Sequence, residues 1–127
     1  MSNPIPKPTE SELEILQILW QKGSATVREV HEELSKNKDS GYTTTLKIMQ
    51  IMTEKTLVSR NETNRTHIYT AAVPEEAMQQ TLLDRFIDTA FRGSAMKLVM
   101  QALGNHETSA DELAKIQQLI DRMHPDK

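Results

Sequence analysis

Cysteine is absent from the 127 residues. Disulfides, thiolate metal sites and cysteine nucleophiles are therefore excluded, in agreement with a reducing compartment. Aromatic residues make up only 4% of the chain, so a core must rely on Leu, Ile, Val, Met and Ala. No apolar run is long enough for a membrane span, and Met1 to Thr9 is too polar and proline-rich for a signal peptide. The expectation is a cytoplasmic protein with no membrane insertion. The four glycines are dispersed and form no phosphate loop, and His31, His67, His106 and His124 lack metal-ligand spacing. No catalytic residue, metal or cofactor is expected, and the chain does not read as an enzyme.

What is present is short-range order. Thr9-Glu10-Ser11-Glu12 is a capping box, followed by Leu13, Leu16, Leu19 and Trp20 at helical spacing, with Gly23 as a stop. Thr26-Val27-Arg28-Glu29 is a second box, opening a helix with Val27, Val30, His31 and Leu34 on one side. Lys36 to Gly41 is a polar loop. A third helix is predicted from about Thr43 to Lys55. Its three leading threonines are poor helix formers, which points either to capping or to contact with phosphates and base edges.

The period then changes. Leu57–Asn61 and Thr66–Ala71 are β-prone segments around Glu62-Thr63-Asn64-Arg65, a hairpin with a polar tip. Pro74, at a first helical position, opens a fourth helix whose apolar stripe runs from Met78 to Phe91. A shorter helix follows, stopped by Gly104. Ser109-Ala110-Asp111-Glu112, a third capping box, opens the last helix, with Leu113, Ile116, Leu119, Ile120 and Met123 on its buried side. The seven methionines suit an adaptable core or an adaptable binding face.

The order helix, helix, helix, hairpin predicts a mainly α fold with a small β-hairpin wing. A winged helix-turn-helix at 1–73 is followed by a helical dimerisation region at 74–127. In such a unit the third helix enters the DNA major groove N-terminus first. Helical spacing turns Thr45, Leu46, Met49 and Met52 inward, and Thr44, Lys47, Ile48 and Ile51 outward. The candidate DNA-binding residues are Tyr42, Thr43, Thr44, Lys47 and Ile48, with Arg60 and Arg65 on the wing. Thr26 is a cap or a phosphate contact. The net charge of −3 opposes this as a total, but Lys36–His67 holds six basic and three acidic residues. The wide apolar faces beyond residue 74 suggest a homodimer matched to a palindromic operator. The residues expected to build it are Leu82, Phe86, Ile87, Phe91, Val99, Leu103, Ile116, Leu119 and Ile120. Folding of these helices back onto the same chain is the alternative.

The stretches Thr9–Ile15 with Trp20, Thr26–Leu34, Tyr42-Thr43-Thr44 with Leu46, and Leu57-Val58 resemble the penicillinase-repressor (BlaI/MecI) family over nearly the whole chain. The resemblance implies a repressor of double-stranded operator DNA, released by an upstream signal. In the family that signal often comes through a membrane metallopeptidase sensor, with cleavage in the dimerisation region; another antirepressor is the alternative partner. Ile51 stands where the family usually has arginine, and Thr56 where it has glycine. Gln101-Ala102 stands where staphylococcal members are cut at an Asn–Phe bond, so the cleavage bond is not carried over. The paired C-terminal cysteines of copper-responsive relatives are missing. The rival reading is a winged-helix protein-interaction module that does not bind DNA, which the acidic total and the outward Ile48 and Ile51 would suit.

Overall fold

A computed structural model describes residues 5–63 and 65–123. Asn64 at the hairpin tip and His124 lie outside the described residues. In chain order the elements are α1 (Glu10–Lys22), α2 (Val27–Ser35), α3 (Tyr42–Glu54), β1 (Val58–Asn61), β2 (Ile68–Ala71), α4 (Glu75–Ala90), α5 (Ala95–Asn105) and α6 (Ala110–Met123). Two compact units divide inside α4: unit 1 runs to Leu83 and unit 2 starts at Asp84.

Unit 1 is a winged helix. The predicted boxes set its first two helices in place. Glu12 N donates to Thr9 Oγ1 (3.1 Å) and Thr9 N to Glu12 Oε1 (2.9 Å). Thr26 and Glu29 repeat the exchange at 3.1 and 2.8 Å. The core gathers Ile15, Leu16 and Leu19 from α1, Val27 and Val30 from α2, and Met49 and Met52 from α3, closed by Leu57, Tyr69 and Met78. Trp20 Nε1 donates to the Val73 carbonyl (2.9 Å), which ties α1 to the segment leading into α4.

β1 and β2 pair antiparallel, with Arg60 opposite Tyr69 and Ser59 opposite Thr70. The short α1–α2 connection joins the wing: Ala25 exchanges both backbone bonds with Tyr69, at 3.0 and 2.8 Å. A third strand position thus anchors the hairpin to the helices.

The end of α3 has unusual chemistry. Leu57 N donates to the Met52 carbonyl and Thr56 N to Thr53, the two bonds of a Schellman motif. Met52 and Leu57, the apolar pair of that motif, are both fully buried. The residue in the left-handed position is Thr56, at φ +62°. Glycine is favoured there because a Cβ, and more so a branched one, crowds the neighbouring carbonyl.

In unit 2, Ser109 and Glu112 form the third predicted box, with Glu112 N donating to Ser109 Oγ (3.1 Å). Gly104 does not stop α5; it lies in its last turn, and His106 is the cap. Neither α5 nor α6 has a buried residue. The side of α6 expected to be buried is exposed at Leu113, Leu119, Ile120 and Met123. Phe86, Val99 and Leu103 are exposed as well. Ile87, Phe91 and Ile116 are half-buried, and the Phe86 and Phe91 rings meet edge to face at 5.6 Å. Leu82 differs, since it packs against the winged-helix core. Among the described residues no helix is long and apolar enough to cross a membrane.

Candidate nucleic-acid interface

α3 begins in a way the other helices avoid. Its N-cap is Gly41, which provides no side-chain cap, and its first turn has no acidic residue. Every other helix has one or both: Glu10 and Glu12 in α1, Glu29 in α2, Glu75 and Glu76 in α4, the Ser94 cap in α5, and Asp111 and Glu112 in α6. The first amides and the positive end of the α3 dipole are thus left for something outside the helix.

The three threonines divide by role. Thr45 is fully buried, with Oγ1 3.2 Å from His31 Nδ1 and 3.5 Å from the Gly41 carbonyl. Thr43 and Thr44 are exposed, and neither caps the helix, since Gly41 holds that position. Lys47, one turn further along, is exposed too. Ile48, expected on the same outward stripe, is instead half-buried against the core; the stripe bends inward there because α3 is covered from more than one side. Ile51 remains exposed.

The far end of α3 is fixed. Lys55 Nζ lies 2.7 Å from Glu12 Oε1, a carboxylate only 5% exposed, and donates to the Lys7 carbonyl at 3.3 Å. One lysine thereby joins the α3 terminus to the α1 cap and to the segment before it.

Ion pairing sorts the basic side chains of unit 1. Lys22 and Lys36 pair with Glu33, Lys38 with Glu14, Lys55 with Glu12 and Arg60 with Glu62. Lys36, and more weakly Lys22, hold the Glu33 carboxyl below the usual carboxylate range. Among the described residues Arg28, Lys47 and Arg65 have no carboxylate partner, and neither does Lys7 before α1. Lys47 projects from α3, and Arg28 and Arg65 line a cleft of about 490 Å³ with Thr26, Tyr42, Thr66 and His67. The wing, the start of α2 and the start of α3 meet there.

Arg60 is placed differently from its expected role. Because alternate strand residues point to opposite faces, Arg60 shares the core-facing side of the hairpin with Tyr69. Its Nε lies 2.7 Å and its Nη2 2.6 Å from Glu62 Oε2. The Tyr69 hydroxyl, and next the Glu62 carboxylate, raise its pKa above the ordinary guanidinium value. Arg60 is thus engaged within the wing. Thr26 Oγ1 is likewise occupied as a cap.

The sequence reading missed Arg28. Its guanidinium lies over the Tyr42 ring, 5.7 Å from the centroid, and His31 meets the same ring edge-on at 5.6 Å. A positive charge in the first turn of a helix opposes the dipole, and that was the local signal available.

The penicillinase repressor family profile matches residues 8–122. The penicillinase repressor of Bacillus licheniformis is 23% identical over 117 residues, covering 92% of this chain and 91% of the relative. The methicillin resistance regulatory protein MecI of Staphylococcus aureus is 22% identical over 122 residues, covering 96% and 99%. Among solved structures, the DNA-binding domain of the repressor BlaI matches 60% of this chain and 93% of its own, at 25% identity and a TM-score of 0.52. Monomeric BlaI of Bacillus licheniformis in complex with the blaP half-operator matches 58% and 90%, at 26% identity and a TM-score of 0.51. With a profile match from before α1 into α6, over a winged helix of the same fold, this chain belongs to the penicillinase repressor family.

Proposed function

We propose that this protein is a transcriptional repressor that binds operator DNA, with α3 entering the major groove N-terminus first and the wing lying on the flanking backbone. The observation that carries the reading is the outer edge of α3. It has an N-terminus without a side-chain cap, exposed Thr43 and Thr44, and Lys47 without an ion pair among the described residues. Hydroxyls and an ammonium can donate to phosphate oxygens and base acceptors, and a threonine methyl can meet a thymine methyl. The similarity to BlaI in complex with a half-operator supports DNA binding by this fold.

Tyr42, Thr43, Thr44 and Lys47 form the reading edge in this proposal, and Ile48 only borders it. Arg65 reaches the flanking backbone, and Arg60 stiffens the wing. The α2 terminus beside Thr26 offers its amides to a phosphate. Two protomers join through the apolar faces of α4, α5 and α6, which places two copies of α3 on a palindromic site. An upstream signal, through a membrane metallopeptidase sensor or another antirepressor, releases the DNA.

The test is a gel-shift titration of the full chain, over a range of salt concentrations, with a duplex selected from a randomised pool. Affinity should fall steeply as salt rises, because the bound protein displaces condensed cations. Binding that is flat in salt would instead mark an apolar protein-interaction surface and overturn the reading.

A further inference from the structure

Arg28 combines three properties that an idle surface arginine does not have. It sits in the first turn of α2, where the helix dipole disfavours a positive charge. Among the described residues no carboxylate neutralises it, although α2 also has Glu29, Glu32 and Glu33. Its guanidinium lies over an aromatic ring of the neighbouring helix. Arg28 and His31, three residues apart on α2, both contact the ring of Tyr42 on α3, and His31 is tied in turn to Thr45. A guanidinium that meets an aromatic ring without a carboxylate partner keeps N–H donors available, and its planar fork suits two phosphate oxygens.

We propose that Arg28 binds a DNA backbone phosphate, held ready for it by Tyr42, at the mouth of the cleft shared with Arg65 and His67. The inference rests on the DNA-binding reading above and adds a contact outside α3 and the wing. Because Arg28 belongs to α2 rather than to the helix that reads bases, its contribution is independent of base order.

The full chain and its Arg28→Ala, Tyr42→Leu and double variants are titrated with the selected duplex and with a scrambled duplex of the same composition. Thermal melts first establish that each variant is folded. Arg28→Ala should weaken both duplexes by the same factor, about tenfold. It should also lower the slope of log affinity against log salt by about 0.9 per bound protomer. Tyr42→Leu should reproduce part of that loss, and Arg28→Ala should cost less in its background. An unchanged slope in Arg28→Ala, with a steep wild-type slope, would overturn this inference alone. Loss confined to the selected duplex would make Arg28 a base contact and overturn it as well, and strict additivity would remove Tyr42 as its support. A wild type without salt dependence would overturn the DNA-binding reading itself.

Discussion

Unit 1 and unit 2 use their apolar side chains in opposite ways. All thirteen buried apolar residues among those described belong to unit 1, which closes a core from three helices, a hairpin and the start of α4. α5 and α6 are as clearly amphipathic, yet bury none. Met96, Met100 and Met123 are exposed by 66% or more. Apolar faces of this kind are unusual on a soluble monomer unless a partner covers them. The winged helix meets its packing needs within the chain; in the dimer proposal the helical region would meet them by pairing.

The sharpest way to break this contrast is Phe86→Glu. If unit 2 is the pairing region, the variant should sediment as a monomer and lose most of its operator affinity while its winged helix stays folded. An unaltered dimer would contradict the assignment. Leu16→Ala, in the closed core, should cost about 3 kcal/mol in urea denaturation, whatever the protein concentration. A loss that depends on concentration would mean that unit 1 also relies on the partner.

Lys47→Ala should leave sedimentation unchanged and weaken operator binding by about tenfold, with a shallower salt slope. Unchanged binding would displace α3 from the groove. Thr56→Gly should stabilise unit 1 by about 1 kcal/mol, since it relieves a branched side chain at positive φ. A loss of stability would show that the Thr56 side chain contributes more than its backbone strain costs. The smallest effect is expected at Glu33. Its lowered pKa means that its pairing with Lys36 and Lys22 is complete at neutral pH and is lost as pH falls through the folded-state pKa. Lys36→Ala should move the carboxyl titration, followed by NMR, back toward the ordinary value.

Features spanning three or four residues were legible from the chain alone. Thr9 with Glu12, Thr26 with Glu29 and Ser109 with Glu112 each form a box within one helical turn, and all three are present. Of the inward set, Thr45, Met49 and Met52 are buried, while Leu46 is half-buried against the core. Side-chain surroundings that depend on neighbouring elements were not legible in this way. Ile48 and Leu82 rest against the winged-helix core, and Arg60, opposite the buried Tyr69, pairs with Glu62. Gly104 was read as a stop, but α5 runs one residue past it to Asn105.

The order of residues by itself determined where the helices start, which of their faces are apolar and which family the chain resembles, because caps and periodicity act within a turn or two. Only the folded structure decided which cations are neutralised and which stay free, since an ion pair such as Lys38 with Glu14 forms between residues far apart in the chain. The same holds for Arg28, whose contact with the Tyr42 ring exists because α2 and α3 are packed side by side.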